Sequence, residues 1–136
     1  MNGRSDIRIL VIEDDEAYRR LVAQILQRAG FTVALASDFD SGMRVIESPD
    51  RLDLLLSDIS LPAGTPHGLS IGRMAKSRRP DLKIIYMSGS YNVGEIAAMA
   101  EDAKVLPKPF FPKELMAAIE TTLGLDPLPS ASESAA

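Results

Sequence analysis

The chain has 136 residues, a formal net charge of −4, 46% hydrophobic residues and no cysteine. The length suits one domain with a substantial core, the missing cysteine excludes disulfides, thiol chemistry and zinc–thiolate sites, and an acidic balance without a basic patch argues against nucleic-acid binding. The apolar runs are far shorter than a bilayer span and the N-terminus carries no signal-peptide core, so a cytoplasmic protein with no membrane attachment is the simplest reading.

The run Ile7 to Ile12, broken only by Arg8, reads as a first strand and ends in Glu13-Asp14-Asp15. A helix follows from about Glu16 to Ala29, with Tyr18, Leu21, Val22, Ile25, Leu26 and Ala29 on one face and Gly30 placed to stop it. Phe31 to Leu35 is a short second strand. Ser37 with Asp40 reads as a capping box for a second helix, whose Phe39, Met43 and Ile46 face inward and which Pro49 ends. Leu52 to Ser57 is an apolar strand without polar alternation, the pattern of a strand buried on both faces, and Asp58 stands where it emerges. The stretch from Pro62 to Gly68 has the composition of a loop. A third helix runs from about Gly68 to Arg79, and its basic cluster Lys76-Ser77-Arg78-Arg79 reads as a solvated helix end suited to the dipole.

Leu82 to Met87 is a fourth strand leading into Ser88-Gly89-Ser90. Asn92 is placed to cap a fourth helix from Val93 to about Asp102, whose small apolar residues Ala97 to Ala100 predict light packing. Lys104 to Leu106 is a fifth strand, Pro107 to Phe111 a rigid turn, and Pro112 opens a fifth helix that presents Leu115, Ile119 and Leu123 inward and closes at Gly124. Residues 1–5 and 126–136 read as flexible tails around a domain spanning 6–125.

Strands alternating with helices imply a doubly wound parallel sheet with helices on both faces. In such sheets ligands bind beyond the carboxyl ends of the strands. Glu13 and Asp14 after strand one, Asp58 after strand three, Ser88 after strand four and Lys108 after strand five would all lie on that edge. Each residue also has a plainer reading: acids suit a helix start, Ser88 suits a turn, and Lys108 suits solvent. Scattered caps, however, have no reason to gather at one edge. Two carboxylates 4 Å apart repel by about 4 kcal/mol at an effective dielectric of ~20. Such a cluster therefore calls for protons or a cation, and an all-oxygen set suits magnesium. A carboxylate there can attack phosphorus to form an acyl phosphate, with a lysine and a hydroxyl holding the phosphoryl oxygens.

The segments Ile9 to Asp15, Leu54 to Pro62, Ile85 to Gly89 and Lys108-Pro109-Phe110 together resemble the receiver domain of two-component response regulators. Each motif alone is weak, but their order and spacing are specific. The resemblance implies a flavodoxin-like, five-stranded parallel sheet of order 2-1-3-4-5 with five helices. It implies that Asp58 accepts a phosphoryl group from a histidine kinase or phosphotransfer protein. It implies a magnesium site built from Glu13, Asp14, Asp58 and the backbone carbonyl of Ser60. It gives Ser88 and Lys108 the phosphoryl oxygens and places Pro109 after a bond that is often cis. It further implies a signalling switch rather than an enzyme, meeting a target protein or a second copy through the face of helix four, strand five and helix five; the residues after Gly124 are expected to hold no output domain.

The sequence also departs from the family pattern. Val105 stands three residues before Lys108, where an aromatic is frequent, and the loop from Pro62 to Gly68 is long. Two competing readings keep the fold. A magnesium-dependent phosphohydrolase would turn over free phosphate esters, and a binding-only pseudo-receiver would take no phosphoryl group. A flavin carrier would need a hydroxyl- and glycine-rich loop where Glu13-Asp14-Asp15 stands, and would be coloured. His67, the single histidine, lies in loop sequence and is not counted as a phosphodonor or ligand.

Overall fold

The computed structural model describes residues 3–59, 68–89 and 103–127. A single 3-10 turn, Gly3–Asp6, precedes β1 (Arg8–Ile12), α1 (Glu16–Arg28), β2 (Thr32–Ala36), α2 (Phe39–Glu47), β3 (Leu54–Asp58), α3 (Gly68–Arg78), β4 (Lys83–Ser88), β5 (Lys104–Pro107) and a C-terminal helix (Pro112–Leu123). All strand pairs are parallel, in the order β2-β1-β3-β4-β5 expected for a flavodoxin-like sheet. The helix expected over 93–102 and the loop around Ser60 and His67 lie outside the described residues.

The central strands lack polar alternation because both faces are covered. Successive side chains still point to opposite faces. Ile9, Val11, Leu54, Leu56, Ile85, Met87 and Leu106 pack with Val22 and Leu26 of α1 and with Leu115 and Ile119 of the C-terminal helix. Leu10, Ile12, Leu55, Ile84 and Tyr86 pack on the other side with Met43 and Ile46 of α2 and Ile71 and Ala75 of α3. Registers Ile12↔Ser57, Asp58↔Met87 and Ser88↔Pro107 bring the strand ends level, so polar residues just past them share one edge.

Helix ends follow local chemistry. Gly30 (φ 99°) and Gly124 (φ 68°) take left-handed conformations just past α1 and the C-terminal helix, where a Cβ would be strained. The cap of α2 corrects the sequence reading by one residue. Asp38, not Ser37, is the N-cap: its Oδ1 accepts from Ser41 N at 2.8 Å, and Asp38 N donates back to Ser41 Oγ at 3.3 Å. A carboxylate competes well for that position, and Ser41 supplies the reciprocal acceptor. The Asp38–Ser41 hydrogen bonds, side chain first and then backbone, hold the Asp38 carboxyl below the ordinary aspartate range.

The basic cluster at the end of α3 is also more than a solvated helix end. Arg79 donates to the carbonyls of Ile46 at 2.8 Å and Ser48 at 2.7 Å, satisfying acceptors left open at the end of α2. Lys76 reaches the Leu82 carbonyl at 2.7 Å, and Arg78 pairs with Glu47 at 3.0 Å. The ordered contacts extend past the expected domain edges. Arg4 donates to Glu120 at 3.0 Å and to the Asp126 carbonyl at 2.7 Å, with its guanidinium 5.3 Å from the Phe31 ring centroid. Among the described residues, no helix is long and apolar enough to cross a membrane.

Candidate functional site

Glu13 follows β1 directly and is 1% exposed. Its backbone N–H donates to the Ala36 carbonyl at 3.0 Å, extending the ladder to β2. The next two acids divide their tasks. Asp15 is the N-cap of α1, accepting from Tyr18 N at 2.9 Å, while its own N–H donates to Glu13 Oε2 at 3.1 Å. Asp14, between them, is exposed. Arg19, one turn into α1, donates to the Glu13 carbonyl at 2.7 Å and so pins the loop that presents the acids.

Asp58 ends β3 and is 5% exposed. Ser88 ends β4, buried, and its carbonyl accepts from Lys108 N at 2.8 Å, which ties the turn after β5 to β4. The Lys108–Pro109 bond is cis. From there the Lys108 ammonium reaches inward to Asp58 Oδ2 at 2.8 Å and Glu13 Oε1 at 2.5 Å. The Tyr18 ring covers the same ammonium, with its centroid 4.4 Å from Nζ. Phe110 braces that ring edge-on at 5.6 Å.

One carboxylate oxygen from each of Glu13, Asp14 and Asp58 lies within 4.8 Å of the others. Glu13, Asp14, Asp58 and Lys108 thus converge at one edge, and Ser88 ends the strand beside that of Asp58; Ser60 lies outside the described residues. The Glu13–Lys108 bond was not anticipated, nor were Tyr18 and Arg19. Tyr18 was legible only as a residue of the inner face of α1, and nothing in its spacing points to Lys108.

The electrostatics are those of crowded, partly dry acids. Burial pushes the Glu13 carboxyl up to about 7, against hydrogen bonds from Lys108 and Asp15 that favour its charged form. For Lys108, burial acts to lower the ammonium, but hydrogen bonds and charge from Asp58 and Glu13 outweigh it and hold the pKa above the ordinary lysine value. One ammonium cannot balance three carboxylates. A hard divalent cation fits the set: all donors are oxygen, two are buried, and the third opens to solvent where such an ion keeps its waters.

The family model for the response regulator receiver domain matches residues 9–120. The chain is 36% identical over 120 residues to the response regulator receiver protein CpdR of Brucella abortus, covering 85% of this chain and 96% of that protein. It is 36% identical over 121 residues to the response regulator MprA of Mycobacterium ulcerans, covering 86% of this chain but only 50% of that longer protein. In structure it is similar to the response regulator TrrA of Thermotoga maritima, described in complex with Mg(2+)-BeF, at TM-score 0.75 and 25% identity over 86% of this chain and 99% of that one. With the strand order and the residues at the strand ends already matching, these similarities make the chain a member of the response regulator receiver family.

Proposed function

We propose that the chain is a magnesium-dependent phosphorylation switch in which Asp58 accepts a phosphoryl group from the phosphohistidine of a histidine kinase or phosphotransfer protein. The observation that carries this reading is the convergence of Lys108 Nζ on Asp58 and Glu13, beside the exposed Asp14, at the carboxyl edge of the sheet. The Asp58 carboxylate is the nucleophile: one oxygen forms a bond to phosphorus while the phosphorus–nitrogen bond breaks and its electron pair returns to the imidazole. Glu13, Asp14, Asp58 and the Ser60 carbonyl would hold magnesium, which supplies positive charge to the phosphoryl oxygens when bound. Lys108 already lies at Asp58 and needs only a small pivot to donate to an added phosphoryl oxygen. Ser88, at the end of the neighbouring strand, supplies the hydroxyl for another.

The switch follows from this exchange of partners. Moving a conformational equilibrium from 1:99 to 99:1 takes about 5.5 kcal/mol of differential stabilisation. Charge-assisted bonds from Lys108 and Ser88 to a phosphate, each stronger than a neutral bond, are of the size needed. The signal passes to a target protein or a second copy through the face of helix four, β5 and the C-terminal helix, the surface that the family resemblance implies. The chain's own chemistry is limited to taking up and losing this phosphoryl group, in the cytoplasm.

Incubation with acetyl phosphate and magnesium, followed by intact-mass measurement, tests the reading. Wild type gains one phosphoryl group, and Asp58→Asn gains none. Unchanged labelling of Asp58→Asn, or no labelling of wild type, refutes it.

A further inference from the structure

The Lys108 ammonium has three N–H donors. Two are used by Glu13 and Asp58. Against the ammonium lies the face of Tyr18, 4.4 Å away, on a helix whose first turn belongs to the same pocket. Phe110, two residues after Lys108, holds the Tyr18 ring at 63° and 5.6 Å. Lysine, tyrosine and phenylalanine therefore form a closed bracket across the α1 and β5 sides of the site. The Tyr18 hydroxyl is buried beside the Phe110 backbone and makes no well-shaped hydrogen bond among the described residues. The ring, rather than the hydroxyl, is the part in use.

We infer that Tyr18 is a positioning residue: its ring holds the Lys108 ammonium over the acid pocket and steers it onto the phosphoryl group received by Asp58. The physical reason is the shape of the interaction. A hydrogen bond fixes an ammonium along one line, whereas attraction to a ring face is broad. An ammonium held by the ring can turn from Glu13 and Asp58 to a phosphoryl oxygen without first becoming free. Lysine loses much rotamer freedom when held, and the ring contact offsets part of that loss before the phosphoryl group arrives. This inference rests on the proposed phosphorylation of Asp58 and names a residue that shapes it.

The test uses the full chain, acetyl phosphate and magnesium, so that no kinase docking surface intervenes. Tyr18→Leu keeps bulk and removes the ring face; Tyr18→Phe keeps the ring and removes the hydroxyl. The expected result is phosphorylation roughly threefold to tenfold slower for Tyr18→Leu, the fold-change that an attraction of this kind supports, and a wild-type rate for Tyr18→Phe. In a Lys108→Met background, Tyr18→Leu should cause no further slowing, because the two residues act as one unit. Proton NMR adds a readout of placement: the Lys108 side-chain methylene resonances are shifted upfield by the ring in wild type and Tyr18→Phe, and return toward random-coil positions in Tyr18→Leu. Equal rates for wild type and Tyr18→Leu, or a Tyr18→Leu effect that persists without Lys108, overturn the role of Tyr18 while leaving Asp58 as acceptor. A wild type that takes up no phosphoryl group overturns the functional reading and this inference with it.

Discussion

Replacing Glu13 by glutamine should make the metal-free protein more stable at pH 8 and not at pH 5. Glu13 is 1% exposed and shares the pocket with Asp58 and Asp14. Burial raises its pKa from 4.5 to about 7, despite the hydrogen bonds from Lys108 and Asp15. A carboxyl whose folded pKa is raised binds its proton more tightly when folded than when unfolded. Folding is therefore favoured at low pH, and that advantage is lost as pH rises from the unfolded value through the folded one, between about 4.5 and 7. Each pH unit of that window is worth 1.36 kcal/mol, so a charged Glu13 at pH 8 costs roughly 3 kcal/mol. Glutamine keeps an acceptor for Lys108 but turns its amide on the Asp15 N–H, which gives back about 1 kcal/mol. The net gain is about 2 kcal/mol at pH 8, or a rise in Tm of about 5–10 °C for a chain of this size. At pH 5 wild-type Glu13 holds its proton, the gain vanishes, and the variant is equal or slightly worse. Thermal unfolding followed by circular dichroism in EDTA at both pH values measures this. A variant less stable than wild type at pH 8, or a difference that does not change with pH, would refute the argument that Glu13 is an electrostatic liability in the apo protein. Magnesium should reverse the ranking, stabilising wild type more than Glu13→Gln.

Further substitutions test the packing that holds the site in place. A Cβ on Gly72 would fall 1.7 Å from the Tyr86 hydroxyl oxygen and 2.7 Å from its Cζ, so Gly72→Ala should cost about 2 kcal/mol in urea unfolding, and adding Tyr86→Phe should return part of it; a Gly72→Ala protein as stable as wild type would show that α3 yields freely. Arg79→Ala leaves the Ile46 and Ser48 carbonyls without their guanidinium, and should cost about 2 kcal/mol and speed amide exchange at the end of α2. Glu47→Ala breaks the half-exposed pair with Arg78 and should change stability by less than about 0.5 kcal/mol; equal costs for Arg79→Ala and Glu47→Ala would contradict the distinction between capping and surface pairing.

The fold was legible because its periodicities are strong and local. The leucines of β3 have no polar partner to show to solvent, and α1 repeats its apolar residues at helical spacing. Boundaries slipped where local chemistry competes over one residue: Ser37 and Asp38 both suit an N-cap, and only the presence of Ser41 N–H and Oγ at the right distance selects Asp38. Arg79, just past α3, reads as solvent-facing, since the carbonyls it serves lie 33 residues earlier in sequence for Ile46 and 31 for Ser48.

The sequence by itself determined the order of elements, the burial of the central strands and the gathering of Glu13, Asp14, Asp58, Ser88 and Lys108 at one edge. Those follow from unbroken apolar runs in the strands, from the 3.6-residue repeat in the helices and from the rule that parallel strands point the same way. Tertiary structure alone decided which acid Lys108 bonds besides Asp58, which ring covers its ammonium, and why Gly72 faces Tyr86. These pairings join side chains from elements far apart in the chain, and their geometry is set by strand register and helix rotation, neither of which leaves a mark in residue spacing.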